Sequence, residues 1–348
     1  MEVSVVIPVY NAAAFLADAV RSTLTLAPVR EVVLVDDGST DGSTELCHRL
    51  CQEDARVKLY QHPGGVNRGA SLSRNLGIEK ATCPFVAFLD SDDRFLPTRF
   101  DTETRIFSEH PDADGVYGAI GVHFHDAKGQ ERFDRVFRSR LTTVRLALPP
   151  EQLFPAFIGT AGILDFGHFS LDGLTVRRSA LMKMPRLLRN DLRIGEDTEF
   201  ITRLSYHTRL YPGSIHQAVA LRGVHADNRI TNDPHRRSSR LRMYEALWEW
   251  ARTTPIDLRS QRAIAWDVAH FRLLCAETGA QRRRAVHTAL CYPGVFKRRE
   301  ASEAFVAVIL GRKNGFTRLV QRFVRGLHAL LWRIKGGSPP PATVLDPH

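Results

Sequence analysis

Short apolar runs alternate with stretches of helical periodicity over the first hundred residues. The runs predict buried strands, and the stretches between them repeat apolar residues every three or four positions, as helices do. The predicted strands are Val3–Val9, Glu31–Val35, Val57–Tyr60 and Phe85–Leu89, and the predicted helices are Ala13–Leu26, Thr44–Cys51 and Ala70–Lys80. Continuous apolar strands joined by helices are typical of an α/β fold, with a mainly parallel sheet flanked by helices.

The pattern changes twice further along the chain. From about residue 100 to 234 it is less regular, and beyond that it is helical. The predicted elements are strands at Gly115–Phe124 and Leu174–Val176, followed by helices at Glu196–Tyr206, Arg240–Arg252, Ala263–Thr278 and Arg318–Lys335. We predict a first domain over 1–234, a helical C-terminal region over 235–335 and a loose Pro- and Gly-rich tail over 336–348.

The composition is that of a folded protein with one strongly basic end. With 43% hydrophobic and 25% charged residues, disordered and collagen-like chains are excluded. The formal net charge is +10, and residues 281–348 hold 13 Lys and Arg against 3 acidic residues. No apolar run approaches the roughly 18 residues that cross a bilayer, and no basic n-region or cleavage site accompanies the segment that begins at Val3, so we expect a cytoplasmic protein without a signal peptide.

Polar side chains follow three of the predicted strands. Ligands of an open parallel sheet bind beyond the carboxyl ends of its strands, so we expect these side chains to share one crevice. They are Pro8, Tyr10 and Asn11 after the first strand, Asp36 and Asp37 after the second, and Asp90, Ser91, Asp92 and Asp93 after the fourth.

This crevice suits a nucleotide that is bound without a phosphate loop. The first strand-to-helix turn lacks the glycines of GxGxxG, and GxxxxGK[ST] is absent from the sequence, which argues against an NAD enzyme and a P-loop NTPase. The ring of Tyr10 can stack on a base, and Asp36 or Asp37 can accept its ring N–H or a ribose hydroxyl.

Two acidic motifs suggest chemistry at the same place. Asp90, Asp92 and Asp93 would repel one another without a divalent cation, and their oxygen ligands favour Mn²⁺ or Mg²⁺; alternatively, Asp92 and Asp93 cap the next helix or turn. Glu196 and Asp197 begin a predicted helix, where a carboxylate can act as a general base. The alternative there is an acidic first turn that stabilises the helix dipole, with Glu199 completing the cap.

Five motifs together resemble the family 2 glycosyltransferases of GT-A fold, in the same order. They are VVIPVYN (5–11), VDDGSTD (35–41), NRGASLSRNLGI (67–78), FLDSDD (88–93) and GEDTEF (195–200). The resemblance covers about residues 3–230. It implies a GT-A catalytic domain with a nucleotide-sugar half over about 1–100 and an acceptor half over about 100–234, and a metal-dependent, inverting transfer of a sugar from a nucleotide-sugar to an acceptor hydroxyl.

The resemblance also implies roles for single residues. Asp37, with Asp36 beside it, meets the uracil edge, so UDP is the preferred carrier and GDP or dTDP are alternatives. The other donor residues are Pro8, Tyr10 and Asn11 round the base and Asn67, Arg68 and Arg74, which close over the nucleotide and diphosphate. Ser91, between the acids after the fourth strand, is also predicted to bind the donor nucleotide. The metal ligands are Asp90, Asp92, Asp93 and His225, although a lone histidine after a strand is more often structural. Asp197 is the base, and Glu196 supports it or orients the acceptor.

The sequence departs from the family on the acceptor side. Many relatives have a Gly-rich turn with FDE before the ED motif, whereas this chain has MPRLLRNDLRIGED (184–197). His168, Asp172 and Arg177 lie in the same region, and the sequence assigns no role to them.

The basic end predicts a long amphipathic helix. From 316 to 335 apolar residues recur at steps of three and four, with Arg and Lys beside them. Such a helix either lies at the cytoplasmic face of a membrane, drawn to anionic lipid, or packs on the catalytic domain. Membrane contact would suit a glycan or lipid-linked acceptor and a role in surface polysaccharide or glycolipid synthesis. No nucleic-acid partner is expected, because no motif for one is present.

Two other functions stay open. A sugar nucleotidyltransferase would share the sheet and the metal site, but PVYNAAAF (8–15) lacks the Gly-rich basic loop that such enzymes carry. A non-catalytic scaffold that binds a nucleotide-sugar would have no need of acids at Asp90, Asp92 and Asp197.

Overall fold

The computed structural model describes residues 1–137, 139–141, 144–163, 166–225 and 236–292, and a few positions between 302 and 309. These residues divide into two compact units, one up to residue 225 and the other from residue 236. The basic helix predicted over 316–335 and the tail over 336–348 lie outside the described residues.

The strands of the first unit form two sheets. Their bounds are β1 Val3–Val9, β2 Val29–Asp36, β3 Val57–Gln61, β4 Phe85–Phe88, β5 Arg94–Phe95, β6 Gly115–Tyr117, β7 Ala119–Phe124, β8 Leu174–Arg177, β9 Leu210–Pro212 and β10 Ala218–Val224. Among the described residues, the larger sheet has the order β3-β2-β1-β4-β8-β6-β9 and the smaller one β5-β10-β7. Strands β1 to β4 run parallel, and β8 is antiparallel to both β4 and β6.

Helices cover the larger sheet on both faces, so its central strands are buried on both sides. All seven residues of β1 are buried. The α-helices of this unit are α1 Leu16–Leu24, α2 Ser43–Glu53, α3 Ala70–Lys80, α4 Asp101–Glu109, α5 Ala127–Val136, α6 Pro150–Phe157, α7 Arg178–Met182 and α8 Glu196–His207. The predicted α/β fold with a mainly parallel sheet is confirmed.

The single strand predicted over 115–124 is in fact two strands in different sheets. Gly118 separates them, and its backbone N–H donates to Gly173 O at 2.8 Å. β6 before it pairs with β8 and β9, whereas β7 after it pairs with β10. The chain therefore crosses from one sheet to the other at this glycine.

The second unit is helical, as predicted. Its helices are α9 Arg236–Thr253, α10 Leu258–Cys275 and α11 Gly279–Cys291. The sequence predicted the first two with shorter or shifted bounds and missed the third. Across the part of the chain that the structure describes, no helix is both long and apolar enough to span a membrane.

Candidate active site

The loops that follow β1 and β2 are joined by hydrogen bonds. Asn11 has a positive φ of 49°, which Asn tolerates better than most residues, and its Oδ1 accepts a hydrogen bond from Thr40 N at 2.8 Å. In return, Ala13 N donates to Asp41 Oδ2 at 3.0 Å. The two strand-end loops therefore form one unit.

Asp36 is buried at the end of β2, where protein groups surround its carboxylate. Ser39 N, Thr44 Oγ1 and Gln61 Nε2 donate to it at 3.2, 2.7 and 2.8 Å. Burial alone would raise its pKa, but these hydrogen bonds together hold the pKa of Asp36 below its ordinary value. Asp36 therefore shapes this loop as an ionised acceptor for three protein groups.

Asp37 holds a second loop, residues 62–69, onto the end of the sheet. Its Oδ1 accepts a hydrogen bond from Arg68 N at 2.7 Å, and its Oδ2 accepts one from Gly69 N at 2.8 Å. Hydrogen bonds from main-chain amides to a carboxylate are among the stronger ones in proteins. The loop that carries Asn67 and Arg68 is thus fastened to the residue predicted to meet the base.

We expect Gly38→Ala to loosen this loop. Gly38 has a φ of 76°, and an added Cβ would stand 2.7 Å from Gly65 O. A left-handed conformation alone costs other residues about 1–2 kcal/mol. Gly64→Ala is the matched control, because Gly64 has a φ of 79° but nothing within 4 Å of an added Cβ. Gly38→Ala should lower the melting temperature more than Gly64→Ala does. Equal decreases in the two variants would contradict the close contact between position 38 and Gly65 O.

Three carboxylates converge at the end of β4. Asp90, Asp93 and Asp172 each place one oxygen within 4.8 Å of the others. Asp93 and Asp172 are 4% and 2% exposed, and Gly223 N donates to Asp93 Oδ1 at 2.7 Å. The sequence predicted Asp90 and Asp93 as metal ligands, and Asp172 joins them from the turn before β8.

Burial makes the ionisation of this cluster costly. Burial, with repulsion from Asp172 and Asp92, raises the pKa of Asp93 well above its ordinary value. Burial and repulsion from Asp90 likewise raise the pKa of Asp172, and the guanidinium of Arg222 opposes both shifts. Crowded carboxylate oxygens are the ligands that Mn²⁺ and Mg²⁺ prefer, so this donor set fits such an ion.

Asp92 lies next to two histidines beside this cluster. His225 Nε2 is 3.4 Å from Asp92 Oδ2, and His125 Nε2 is 3.3 Å from Asp92 O. The ring of Phe15 lies 4.5 Å from that of His125 and 5.1 Å from that of His225, centroid to centroid. The four predicted metal ligands thus fall into two adjoining groups: Asp90 with Asp93, and Asp92 with His225.

Arg74 links the DSDD loop, residues 90–93, to the first turn of α8. Its buried guanidinium donates through Nη2 to Asp90 Oδ1 at 2.5 Å, and its Nη1 lies 3.9 Å from Glu196 Oε1. Burial opposes the charge, but attraction by Asp90 and Glu196 raises the pKa of Arg74 above its ordinary value. Arg74 reaches this position because α3 packs directly on β1, where any side chain at Gly77 would collide with Val6.

The first turn of α8 carries the predicted base. Thr198 N donates to Asp197 Oδ1 at 2.7 Å. Hydrogen bonds between described residues reach only that oxygen of the carboxylate. Glu199 does not close a cap; instead it receives Arg203 Nε and Nη2 at 2.7 and 2.8 Å. Glu199 is therefore structural.

The stretch that departs from the family pattern is anchored at two places. Asn75 of α3 exchanges two hydrogen bonds with the backbone of Leu188, at 2.9 and 3.0 Å. Arg203 of α8 donates to Arg186 O at 2.6 Å and to Leu187 O at 2.8 Å. These contacts fix the start of α8 relative to α3, and so Asp197 relative to Arg74.

The remaining predicted donor residues differ in exposure. Tyr10 is 51% exposed, which leaves its ring accessible for stacking on a base. Asn67 and Arg68 are also exposed, Ser91 is half-buried, and Pro8 is buried within β1.

Residues 4–170 match the family described as glycosyl transferase family 2. This part of the chain is a family 2 glycosyltransferase domain. Similar curated proteins include an uncharacterised glycosyltransferase of Rickettsia conorii, 29% identical over 56% of this chain and 29% of that protein. Another is the glycosyltransferase GlyG of Streptococcus pneumoniae, 37% identical over 33% of this chain and 38% of GlyG. The chain spans less than half the length of these relatives.

Solved structures with the same fold include residues 1–349 of S. aureus TarS in complex with UDP-GlcNAc. That chain superimposes with a TM-score of 0.60 at 14% identity, over 100% of this chain and 95% of that one. At this identity the likeness establishes the fold.

The family 2 domain match ends before several residues of the site. Asp172, Glu196, Asp197, Arg222 and His225 all follow residue 170. Sequence reasoning assigned no role to Asp172 and missed Arg222. The available signal for Asp172 was topological: because β8 is antiparallel to β4, with Ala87 opposite Thr175, an acid just before β8 reaches the same edge as an acid just after β4.

Arg177 and His168, to which the sequence assigned no role, both contact the surrounding protein. Arg177 donates through Nε to Ala113 O at 2.7 Å, and His168 stacks on Phe157 at 4.9 Å between ring centroids.

Proposed function

We propose that this protein is an inverting glycosyltransferase that moves a sugar from a nucleotide-sugar, with UDP as the carrier, to an acceptor hydroxyl. In this proposal residues 1–234 form the catalytic domain, with the donor half over about 1–100 and the acceptor half over about 100–234. The helical region over 235–335 is an addition to it.

The position of Arg74 carries the proposal. It pairs with Asp90, which follows a strand of the donor half, and stands 3.9 Å from Glu196, next to the candidate base. Its Nε and Nη1 are buried and donate no hydrogen bond to a described residue. A buried donor left unsatisfied costs about 1–3 kcal/mol, and a phosphate oxygen of a ligand would satisfy these donors.

The carboxylate cluster supports metal dependence. Asp90 and Asp93 would hold Mn²⁺ or Mg²⁺, with Asp92 and His225 adjoining them. Such an ion, when bound, neutralises the charge of the departing diphosphate. Without a cation the same carboxylates would repel the diphosphate, so the donor is expected to bind weakly in a chelator.

Asp197 acts as the general base. Its carboxylate takes the proton of the acceptor hydroxyl while that oxygen forms a bond to the anomeric carbon. The bond from that carbon to the diphosphate oxygen breaks, and the nucleoside diphosphate leaves with the electron pair. A single displacement of this kind inverts the anomeric centre. Glu196, held near Arg74, orients the acceptor.

The choice of UDP rests on the base end of the crevice. The exposed ring of Tyr10 can stack on uracil, and the carboxylate of Asp37 can accept its ring N–H. Asn67 and Arg68 lie in the loop that Asp37 holds, so they are placed to close over the diphosphate. TarS, the structural relative, binds UDP and UDP-GlcNAc, which supports the same carrier here.

For the acceptor we propose a glycan or lipid-linked glycan of surface polysaccharide or glycolipid synthesis. The basic amphipathic pattern over 316–335 supports peripheral contact with the cytoplasmic face of a membrane.

Differential scanning fluorimetry tests the donor site directly. We expect UDP with Mn²⁺ to raise the melting temperature more than GDP, dTDP or CMP, and UDP with a chelator to raise it little. A ligand that binds only the folded state stabilises it by about 2.7 kcal/mol at a hundred times its Kd, so millimolar ligand should give a clear shift.

One variant tests the metal site and a second serves as its control. Asp90→Asn should lose the Mn²⁺-dependent part of the increase in melting temperature with UDP. Asp54→Asn removes a carboxylate that pairs with Arg56 before β3, away from the carboxyl ends of the strands. This variant should keep the Mn²⁺-dependent increase. If no nucleotide stabilises the protein at millimolar concentration, donor binding is refuted. If nucleotide binds but no UDP-sugar is turned over, the scaffold function is favoured.

A further inference from the structure

Asp172 is a buried carboxylate that none of the sequence motifs contains. Its Oδ1 accepts a hydrogen bond from Asp90 N at 3.0 Å, and its Oδ2 accepts one from Ser170 Oγ at 2.9 Å. The first of these bonds reaches the backbone of the DSDD loop itself. Asp172 therefore influences where the Asp90 carboxylate stands.

The main chain at Asp172 is also held firmly. Arg99 donates through Nε to Asp172 O at 3.1 Å, and Arg99 forms an ion pair with Glu103. Arg99 and Glu103 are 0% and 1% exposed. A buried charged residue fixed by an ion pair has little freedom to move, so Asp172 is a rigid support for the loop that it contacts.

An independent feature at this place also indicates a ligand. Arg74 is 6% exposed, donates to Asp90, and still has Nε and Nη1 without a hydrogen-bond partner in the described structure. An anionic ligand such as a phosphate would satisfy these donors, whereas three neighbouring carboxylates repel an anion. A divalent cation between the carboxylates and the anion satisfies both.

We propose that Asp172 is the third carboxylate of the cation site and the positioning residue of the DSDD loop. This inference rests on the proposed function, because the cation concerned is the one that would meet the diphosphate. The two roles belong to different properties of the side chain. Its charge acts on the cation, and its Oδ1 atom holds Asp90 N.

Asp172→Asn separates these two roles. Asn keeps an oxygen for Asp90 N and can donate to Ser170 Oγ, but it has no charge. We expect the variant to unfold in EDTA at the same temperature as the wild type or higher, because a buried charge has been removed. Its affinity for Mn²⁺ should fall by about 10–100-fold, the range found when partners of metal ligands are changed. Free Mn²⁺ is measured by EPR on the full-length protein without nucleotide.

Glu31→Gln is the matched control. Glu31 is 8% exposed and, like Asp172, accepts one backbone N–H and one serine hydroxyl, from Thr82 N at 2.9 Å and Ser4 Oγ at 2.5 Å. It lies at the opposite end of the sheet, where Ser4 pairs with Glu31 near the start of β1. This variant should bind Mn²⁺ as the wild type does.

The outcomes separate this inference from the proposed function. Unchanged Mn²⁺ affinity in Asp172→Asn overturns the inference, and so does a wild type that binds no Mn²⁺, because Arg222 and Arg74 would then balance the buried charge without a cation. In either case the UDP shift and UDP-sugar turnover still decide the proposed function. A weaker Mn²⁺ affinity with an unchanged melting temperature in EDTA supports the inference.

Discussion

Asp197→Asn should nearly abolish sugar transfer while leaving donor binding intact. General bases contribute about 10²–10⁴-fold to the rate of a reaction, and an amide cannot take the acceptor proton. The fold should tolerate the change, because the amide oxygen of Asn can still accept the hydrogen bond from Thr198 N that Asp197 Oδ1 receives. The measurement is the release of UDP from the UDP-sugar that stabilises the protein best, with a thermal shift by UDP and Mn²⁺ on the same sample.

Asp191→Asn is the control for this variant. Asp191 is an exposed carboxylate in the same stretch of chain, where it pairs with Arg189 at 2.6 Å, and its loss should leave UDP release unchanged. If Asp197→Asn loses donor binding together with activity, Asp197 belongs to the donor site and is not the base.

Arg203→Met should give the largest loss of stability among the single changes considered. The side chains of Arg203 and Glu199 are 3% and 1% exposed, so the substitution leaves a buried carboxylate without its partner. Removing one partner of a buried ion pair typically costs about 3–5 kcal/mol. Two backbone carbonyls, Arg186 O and Leu187 O, also lose their donor. At about 2–4 °C per kcal/mol for a domain of this size, the melting temperature should fall by roughly 10 °C.

A second substitution tests the cause of that loss. Arg203→Met combined with Glu199→Gln removes the uncompensated charge, so it should recover part of the melting temperature. Arg209→Met, which breaks an ion pair with Asp112 whose side chains are both 51% exposed, should leave the melting temperature within experimental error. If the double variant is no more stable than Arg203→Met, the unpaired Glu199 charge is not the main cost.

The geometry of the proposed donor half could be predicted from sequence because it follows from the order of the strands along the chain. Parallel strands that succeed one another along the chain all end at the same edge, so the residues after each strand are neighbours. Asp37 and Asp90 were predicted to be neighbours in this way, whereas Arg68 was assigned from the resemblance to family 2 glycosyltransferases. No knowledge of long-range contacts was needed.

The rest depends on contacts between distant segments. The carboxylates of Asp172 and Asp90 lie together only because β8 runs antiparallel to β4. The sequence pattern of the four residues Leu174–Arg177 does not reveal the direction in which β8 runs. The break at Gly118 is caused by a hydrogen bond to Gly173, 55 residues away along the chain. The spacing of apolar residues along the chain predicts neither the direction of β8 nor the break at Gly118.

The pairing of the first two strand-end loops has a consequence for how a donor would enter. Fixing the backbone of a free residue costs about 1–2 kcal/mol of conformational entropy, and a mobile binding loop meets that cost each time a ligand arrives. Here the hydrogen bonds of Asn11 and Asp41 hold the two loops in one arrangement in the folded protein without a ligand. The end of the crevice that we propose to bind the base is thus preorganised, and in this proposal substitutions at the exposed Tyr10 alter base preference without first having to order the loop around it.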